Sequence, residues 1–219
     1  MIKFDPIGWL EPVVPIAWLH RIIRACAFTI VLWFFAVRIG QYRNFIWKPL
    51  WAAETLLFGV VAIAFIVRSN PVDRSHGVKE IIVPLIASVL PFGLLRTYPS
   101  RWIIGNTDLL AAVFMWMTLS TALTVWGMWA VRRSFSITVE ARDVVTWGPY
   151  RWLRHPIYLG EMLSAAAVVV WRWSWSNAAI FMLFVMIQLL RACWEESKLE
   201  RVFPAYRDAL AGSRWFWRT

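Results

Sequence analysis

Two polar segments in the second half of the chain carry side chains that can do chemistry. Residues 132–162 include the run GPYRWLRHPIYLGEM, and residues 191–206 read RACWEESKLERVFPAY. Together they offer a histidine, tyrosines, arginines and carboxylates, which are groups that bind charged small molecules and transfer protons. A long apolar stretch separates the two segments, so only folding can bring these side chains together.

The residue order in the first segment predicts a turn and then a helix. Gly148-Pro149 is a turn signal. Pro156 suits the first turn of a helix, where its missing N–H costs nothing, so His155 would lie at the N-terminal edge of that helix. Tyr158 would follow on its first turn.

These polar residues also have structural interpretations, which stay open at this point. Arg191 and Glu195 are four residues apart and share a helix face. His155 can cap a helix, and arginines of membrane proteins commonly extend toward lipid phosphates, as Arg151 and Arg154 could. The alternative for Glu54 and Glu161 is structural pairing with an arginine. For the charged residues after Arg191 it is a solvated, salt-bridged helix face, formed by Glu195, Glu196, Lys198 and Arg201.

The overall composition indicates a membrane protein. Apolar residues make up 60% of the 219 residues and charged residues 16%, against roughly 45–50% and 25% in soluble domains. The net charge is +10, but Lys and Arg lie between apolar stretches, where they set topology and contact anionic headgroups. Nucleic acid is therefore not an expected partner. Cys26 and Cys193 show no metal-ligand spacing, and no metal is expected.

Four apolar runs are predicted to cross the bilayer as single helices. A hydrocarbon core of about 30 Å needs about 20 apolar residues in a helix, fewer where the ends reach the interface. The run at residues 81–95 is short and contains two prolines. If it does not cross the bilayer, the number of crossings falls by one. The runs are residues 22–39, 49–67, 81–95 and 109–131.

Two further apolar runs, residues 158–171 and 178–191, are predicted to form an antiparallel helical hairpin. Each run of about 14 residues rises only about 21 Å, which is short for a crossing. The tip, residues 172–177, is rich in Trp, which settles at headgroup level. We therefore predict an all-α, multi-pass membrane bundle of about six transmembrane helices, with five as the alternative. Its C-terminal hairpin would bring the two polar segments together.

The distribution of positive charge predicts the orientation of this bundle. Lys and Arg are concentrated on the side that would hold both termini and the two polar segments, and the positive-inside bias makes that side cytoplasmic. Near the end of the chain, Leu199, Phe203 and Tyr206 recur at helical spacing and predict an amphipathic tail helix.

The combined pattern of the two segments resembles a known enzyme family. GPY, RHPxYxG, an apolar hairpin and then R-x3-EE-x2-L-x3-F occur in that order, and SFSITVEARDVVT precedes them. This arrangement is similar to the C-terminal half of the isoprenylcysteine carboxyl methyltransferase family, including its bacterial branch and the related phospholipid N-methyltransferases. The resemblance covers residues 134–206.

The resemblance implies transfer of a methyl group from S-adenosylmethionine to a lipophilic acceptor, such as a prenylcysteine-like carboxylate, a lipid amine or another isoprenoid lipid. The cofactor would enter from the cytosol and the acceptor from the bilayer. Residues 1–131 would then shape an acceptor tunnel, and residues 132–219 would form the cofactor-binding catalytic region. The residues implied to bind the cofactor are Arg142, Asp143, Val144, Val145, Tyr150, His155, Pro156, Ile157, Tyr158 and Glu195.

Methyl transfer also suggests roles for individual side chains. In the family the arginine corresponding to Arg191 faces the substrate, where it suits an anionic or polar head group. A carboxylate or thiolate acceptor needs no base, whereas an amine acceptor must lose a proton, which Glu161 or His155 could accept. Glu195 suits the cofactor's ammonium group. Positioning should supply most of the rate.

Two other interpretations stay open from the sequence. Membrane sterol-type reductases share a similar RHPxY segment and hairpin but bind NADPH, although this chain leaves few helices upstream for a sterol-sized site. The other is a non-catalytic membrane protein that has kept the fold. The presence of Tyr150, His155, Tyr158 and Glu195 together argues against a mere scaffold.

Overall fold

Apolar runs become long helices, and the polar segments between them become turns and irregular loops. The computed structural model describes residues 15–213, and within that range the chain forms helices without a regular β-strand. Three short 3₁₀ segments, Tyr42–Asn44, Leu90–Arg96 and Gly148–Arg151, connect or extend them. The helices are α1 (Ile16–Gly40), α2 (Lys48–Val67), α3 (Gly77–Val89), α4 (Arg101–Ile104), α5 (Thr107–Val131), α6 (Pro156–Trp171), α7 (Trp175–Val202) and α8 (Tyr206–Ala209).

Five of the described segments are long and apolar enough to cross a membrane. They are Arg21–Gly40, Lys48–Val67, Gly77–Arg96, Thr107–Val131 and Trp175–Val202. The prediction of an all-α, multi-pass membrane bundle is therefore confirmed. The run that contains Pro84 and Pro91 reaches spanning length because the 3₁₀ segment Leu90–Arg96 continues α3. The shorter apolar helix is α6 instead, whose 16 residues rise about 24 Å.

The C-terminal hairpin is present, but its arms are unequal. α7 has 28 residues, so the prediction that the second arm is too short to span is wrong. The polar residues after Arg191 continue the helix, which ends only before Pro204 because a residue preceding proline disfavours helical geometry. The tip is correspondingly shorter than predicted, and Ser174 caps α7 by accepting a hydrogen bond from the Asn177 N–H (3.1 Å).

The amphipathic tail helix is also a wrong prediction. Phe203 is the extended residue after α7, so Leu199 and Tyr206 belong to different helices, α7 and α8. Both side chains nevertheless line the same cavity. The terminal residues 1–14 and 214–219, including the Trp-rich end of the tail, lie outside the described residues.

Close helix contacts fix the start of α6 against α5. A Cβ atom at Gly160 would lie 2.8 Å from the Ser120 carbonyl oxygen, and one at Gly127 would lie 2.7 Å from the Ile157 side chain. The Ser120 and Ser164 hydroxyls lie 2.8 Å apart and join the two helices by a hydrogen bond. Small residues at such a contact let two membrane helices approach closely.

The two ends of the bundle differ in character. At one end the hairpin tip meets the loop before α4, since the Ser100 N–H donates to the Trp171 carbonyl oxygen (2.8 Å). At the other end, which we call the polar end, lie residues 68–76, 132–155 and 203–213. The Ser69 N–H donates to the Arg133 carbonyl oxygen there (2.8 Å). The two polar segments singled out from the sequence therefore meet at one end of the bundle.

Candidate functional site

A cavity of about 290 Å³ lies at the polar end, between the helices and the loop that follows α5. Leu57, Phe58 and Val61 of α2 give it an apolar wall. The predicted site residues that line it are Arg142, Asp143, Val144, Val145, Tyr150, His155, Ile157, Tyr158, Glu161, Arg191 and Glu195.

Pro156 is the predicted site residue that does not line the cavity. It is fully buried at the start of α6 and faces α5, where a Cβ atom at Gly127 would lie 3.5 Å from its Cγ. Pro156 is the first residue of α6 and His155 is the residue before it, so the proline in the motif serves to start the helix. The structure thus gives Pro156 a packing role beside the cavity.

The Gly148-Pro149 turn places Tyr150 at the cavity. Gly148 has a φ of 63°, which L side chains rarely adopt, so glycine suits this position. Tyr150 is half-buried, and its phenol lies near the Glu195 carboxylate. Both effects disfavour the phenolate, burial most strongly, and raise the pKa of Tyr150 well above its ordinary value.

The beginning of α6 and the end of α7 join directly at the cavity. Tyr158 Oη donates a hydrogen bond to Glu195 Oε2 (2.9 Å). The His155 ring stacks on the Tyr158 ring, with centroids 5.5 Å apart and an interplanar angle of 8°. His155 Nε2 lies 3.3 Å from Glu196 Oε1, which also lies 3.5 Å from Arg154 Nη1. The two glutamates therefore differ: Glu195 accepts a hydrogen bond from Tyr158 and lies 4.0 Å from His155 Nδ1, whereas Glu196 lies between His155 and Arg154.

A second polar group lies deeper between the arms of the hairpin. Gln188 donates to the Glu161 carboxylate and accepts a hydrogen bond from Arg191 Nη1 (2.8 Å). Arg191 Nη2 also donates to the Ile137 carbonyl oxygen (3.0 Å), and its guanidinium lies 4.9 Å from the centre of the Tyr158 ring. This arrangement connects Arg191 to both the hairpin and the loop.

Gln188 was missed by the sequence reasoning, although a signal was available. It is a lone amide in an apolar run and lies three residues before Arg191, which places both on one helix face. Such an amide in a membrane helix must find a polar partner, and Glu161 is that partner.

The irregular loop at residues 133–147 is held by a buried lysine. Lys198 is 1% exposed, so its interpretation as part of a solvated helix face is wrong. Its Nζ donates to the carbonyl oxygens of Arg74 (2.5 Å) and Val139 (3.2 Å) and to Glu80 Oε2 (2.7 Å). One side chain of α7 therefore fixes both loops of the polar end.

The charges around the cavity can hold a zwitterionic ligand. Glu195 presents a carboxylate whose side chain is 25% exposed, which suits an ammonium group. Arg154 carries a buried Nε that has no hydrogen-bond partner among the described residues. That free donor suits a carboxylate, and the aromatic faces of Tyr150 and Tyr158 suit a flat ring or a cation.

Comparison with known families gives a match in the second half of the chain. A family model described as phospholipid methyltransferase matches residues 101–206, a range that contains the whole of the recognised pattern. This family includes the isoprenylcysteine carboxyl methyltransferases, so the resemblance to it is confirmed. Comparisons with curated proteins and with solved structures give no significant match.

Proposed function

Because residues 101–206 form a domain of the phospholipid methyltransferase family, we propose that this chain is an integral membrane methyltransferase that uses S-adenosylmethionine. The observation that supports it most is the Tyr158–Glu195 hydrogen bond at the cavity (2.9 Å). This bond joins the RHPxY motif to the EE motif, which are far apart in the sequence. Both residues line the cavity together with most of the other proposed cofactor residues.

The proposed cofactor fits the charged groups of the cavity. Glu195 would bind its ammonium group, and Arg154 together with loop N–H groups of residues 143–145 would bind its carboxylate. The rings of Tyr150 and Tyr158 would contact the adenine and the sulfonium. When bound, S-adenosylmethionine supplies an electrophilic methyl group, and the protein has to align it with the acceptor.

The acceptor is proposed to be lipophilic and to approach along the apolar wall. Val31 of α1 and Leu57, Phe58 and Val61 of α2 line that side of the cavity. Hydrocarbon there would exclude water from the reacting groups and replace it with apolar contacts. Residues 1–131 would then provide the acceptor path, as the sequence interpretation proposes.

Arg191 and Glu161 are proposed to act at the acceptor end of the cavity. Arg191 Nη1 and Nη2 hold the guanidinium in place through Gln188 and Ile137, and its buried Nε, which has no hydrogen-bond partner among the described residues, would bind a polar or anionic head group. An amine acceptor has to lose a proton, and Glu161 would hold it, because Glu161 is a carboxylate that lines the cavity. His155 is the alternative base, and its stacking on Tyr158 fixes its ring.

The polar end is proposed to face the cytoplasm. It carries the loops rich in Lys and Arg, which the positive-inside bias retains on that side. This orientation would give the cavity access to cytosolic S-adenosylmethionine.

The cofactor assignment is tested by thermal unfolding of the detergent-purified chain with S-adenosylmethionine, S-adenosylhomocysteine or NADPH. A ligand that binds only the folded state stabilises it by about 2.7 kcal/mol at a hundredfold excess over its dissociation constant. We expect both adenosyl compounds to raise the melting temperature and NADPH to leave it unchanged. Stabilisation by NADPH alone would instead favour the reductase interpretation, and no shift with any ligand would favour a non-catalytic scaffold.

A further inference from the structure

Three arginines at the polar end lie close enough for their charges to act on one another, and Glu140 is the carboxylate that pairs with one of them. Arg24 lies in the first part of α1, Arg68 directly follows α2, and Arg142 lies in the loop that lines the cavity. We call these three residues the arginine cluster. Arg142 pairs with Glu140, whereas Arg24 Nη2 donates to the neutral Asn70 Oδ1 (3.4 Å).

Backbone hydrogen bonds hold the segments of Arg68 and Arg142 side by side, and Arg24 reaches the first of these segments through Asn70. The Ser69 N–H donates to the Arg133 carbonyl oxygen (2.8 Å), and the Val72 N–H donates to the Ala141 carbonyl oxygen (2.8 Å). The Ala141 N–H in turn donates to the Asp73 carbonyl oxygen (3.0 Å). These bonds fix the segment after Arg68 beside the segment before Arg142, so the proximity of the charges is built into the fold.

The donors of the cluster are buried and incompletely used. Arg68 is 9% exposed and makes no side-chain hydrogen bond or salt bridge within the described part of the chain. Its Nε, together with Nε and Nη1 of Arg142, is buried without a partner among those residues. The guanidinium of Arg68 instead lies over the ring of Phe65, 4.9 Å from its centre. A buried cationic group without a hydrogen-bond partner destabilises the folded state unless a bound ligand supplies the partner.

The charge balance points to an anion as that ligand. Burial, and then the positive charges of Arg142 and Arg24, lower the pKa of Arg68 to about 10, although Glu140 opposes this. A negative group between the arginines would reverse the repulsion and satisfy the free donors. Planar guanidinium groups bind phosphate oxygens through paired hydrogen bonds, which a single chloride ion cannot match.

The location of the cluster points to a lipid as the source of the anion. Arg68 directly follows the spanning segment Lys48–Val67, which places it at the level of the lipid headgroups. No residue of the spanning part of α1, Arg21–Gly40, is buried, so lipid can lie along this helix up to Arg24. The cluster is therefore reached from the membrane at Arg24, its half-buried member, and adjoins the cavity at Arg142.

We propose that Arg24, Arg68 and Arg142 form a binding site for the phosphate group of a membrane lipid. The lipid's chains would lie along α1, and its phosphate would hold the loop that carries the proposed cofactor residues. The site adjoins the proposed cofactor cavity through Arg142, but its test changes only Arg24 and Arg68, which do not line that cavity, and needs neither cofactor nor acceptor. The test therefore gives the same answer whether or not the proposed function holds.

The experiment compares the thermal unfolding of delipidated wild type, Arg68→Met and Arg24→Gln in a maltoside detergent, which contains no phosphate. Each protein is titrated with dihexanoylphosphatidylglycerol, with inorganic phosphate and with dihexanoylglycerol. The control is Arg201→Met, which removes an exposed arginine from the same end of the bundle.

Without lipid, we expect Arg68→Met to unfold at a higher temperature than wild type, because it removes a buried unpaired charge. With the phospholipid, wild type and Arg201→Met should gain about 5 °C at saturation, and the two cluster variants less than half of that. Equal gains in wild type and both cluster variants would overturn the site. If inorganic phosphate stabilises wild type as much as the phospholipid does, the bound anion need not come from a lipid. If the neutral dihexanoylglycerol does so, the site does not recognise phosphate.

Discussion

Tyr158 on α6 donates its hydroxyl hydrogen to Glu195 on α7, with a distance of 2.9 Å between the two oxygens. The bond crosses the hairpin at the cavity, so it orients the carboxylate that we propose as the partner of the cofactor's ammonium group. His155 and Arg191 contact the ring of the same tyrosine. One side chain thereby connects the helix start, the carboxylate and the proposed acceptor arginine.

Replacing Glu195 should weaken cofactor binding without unfolding the protein. Glu195→Ala removes the anionic partner of the ammonium group but leaves the packing of α7 intact, because the side chain faces the cavity. We expect the dissociation constant for S-adenosylhomocysteine, measured by isothermal titration calorimetry, to rise about tenfold or more, since a charged hydrogen bond contributes about 1.5–3 kcal/mol. Glu200→Gln changes a carboxylate on the same helix that pairs with exposed Arg207, and it should bind normally. Unchanged affinity in Glu195→Ala would count against the assignment.

Removing only the hydroxyl of Tyr158 should have a smaller effect of the same kind. Tyr158→Phe keeps the ring contacts with His155 and Arg191 but frees the Glu195 carboxylate to move. A hydrogen bond to a carboxylate contributes about 1.5–3 kcal/mol. Because the hydroxyl acts on the cofactor only by orienting Glu195, we expect a smaller loss of cofactor affinity, about fivefold, in the same titration. The loss should disappear when Glu195 is already alanine. Equal losses in the single and double backgrounds would show that the hydroxyl acts elsewhere.

The local features of this site follow from the sequence, whereas its long-range contacts do not. The turn at Gly148 and the helix start at Pro156 depend on neighbouring residues, and both were predicted at the right positions. The partners of Lys198 come from the loop before α3, the first turn of α3 and the loop after α5, and no periodicity in the sequence reveals this pairing. The length of α7 was missed for a related reason: its polar end is held by those same tertiary contacts, which hydropathy does not register.

Arg191→Ala should affect the acceptor more than the cofactor. Arg191 Nη1 and Nη2 donate to Gln188 and to the Ile137 carbonyl oxygen, and its buried Nε, which has no partner among the described residues, is the donor that we propose for the acceptor. We expect the KM for a lipid acceptor to rise about tenfold or more, as for a lost charged hydrogen bond, with a smaller change in the KM for S-adenosylmethionine. Steady-state methyl transfer in detergent measures both constants. Equal effects on the two substrates would assign Arg191 a general structural role.

Lys198→Met should destabilise the polar end. The substitution leaves Glu80 and two carbonyl oxygens without their buried cationic partner, and breaking a buried pair in this way costs about 3–5 kcal/mol. For a chain of this size the melting temperature should fall by about 10 °C, measured by circular dichroism in detergent. Arg201→Met, three residues away and exposed, is the control and should change little. A melting temperature equal to wild type would mean that other contacts hold the loop.

Alkaline pH should destabilise the folded chain through Tyr150. Burial and the Glu195 carboxylate raise the pKa of this tyrosine in the folded state, so above about pH 10 the unfolded chain loses a proton that the folded chain retains. The unfolded state then binds fewer protons, and the free energy of unfolding falls as pH rises. Arg68 has the opposite effect on the free energy of unfolding. Its lowered pKa means that the folded chain loses this proton more easily than the unfolded chain, so folding is favoured as the pH rises above about 10. Comparing variants separates the two contributions.

Tyr150→Phe isolates the tyrosine's contribution. Between pH 9 and pH 11 we expect its melting temperature to fall less than that of wild type, because phenylalanine has no proton to lose. Tyr98→Phe is the matched control, since Tyr98 is 92% exposed and should titrate alike in both states. Parallel pH profiles for wild type and Tyr150→Phe would show that the Tyr150 hydroxyl reaches water, and that the cavity beside Glu195 does not exclude solvent.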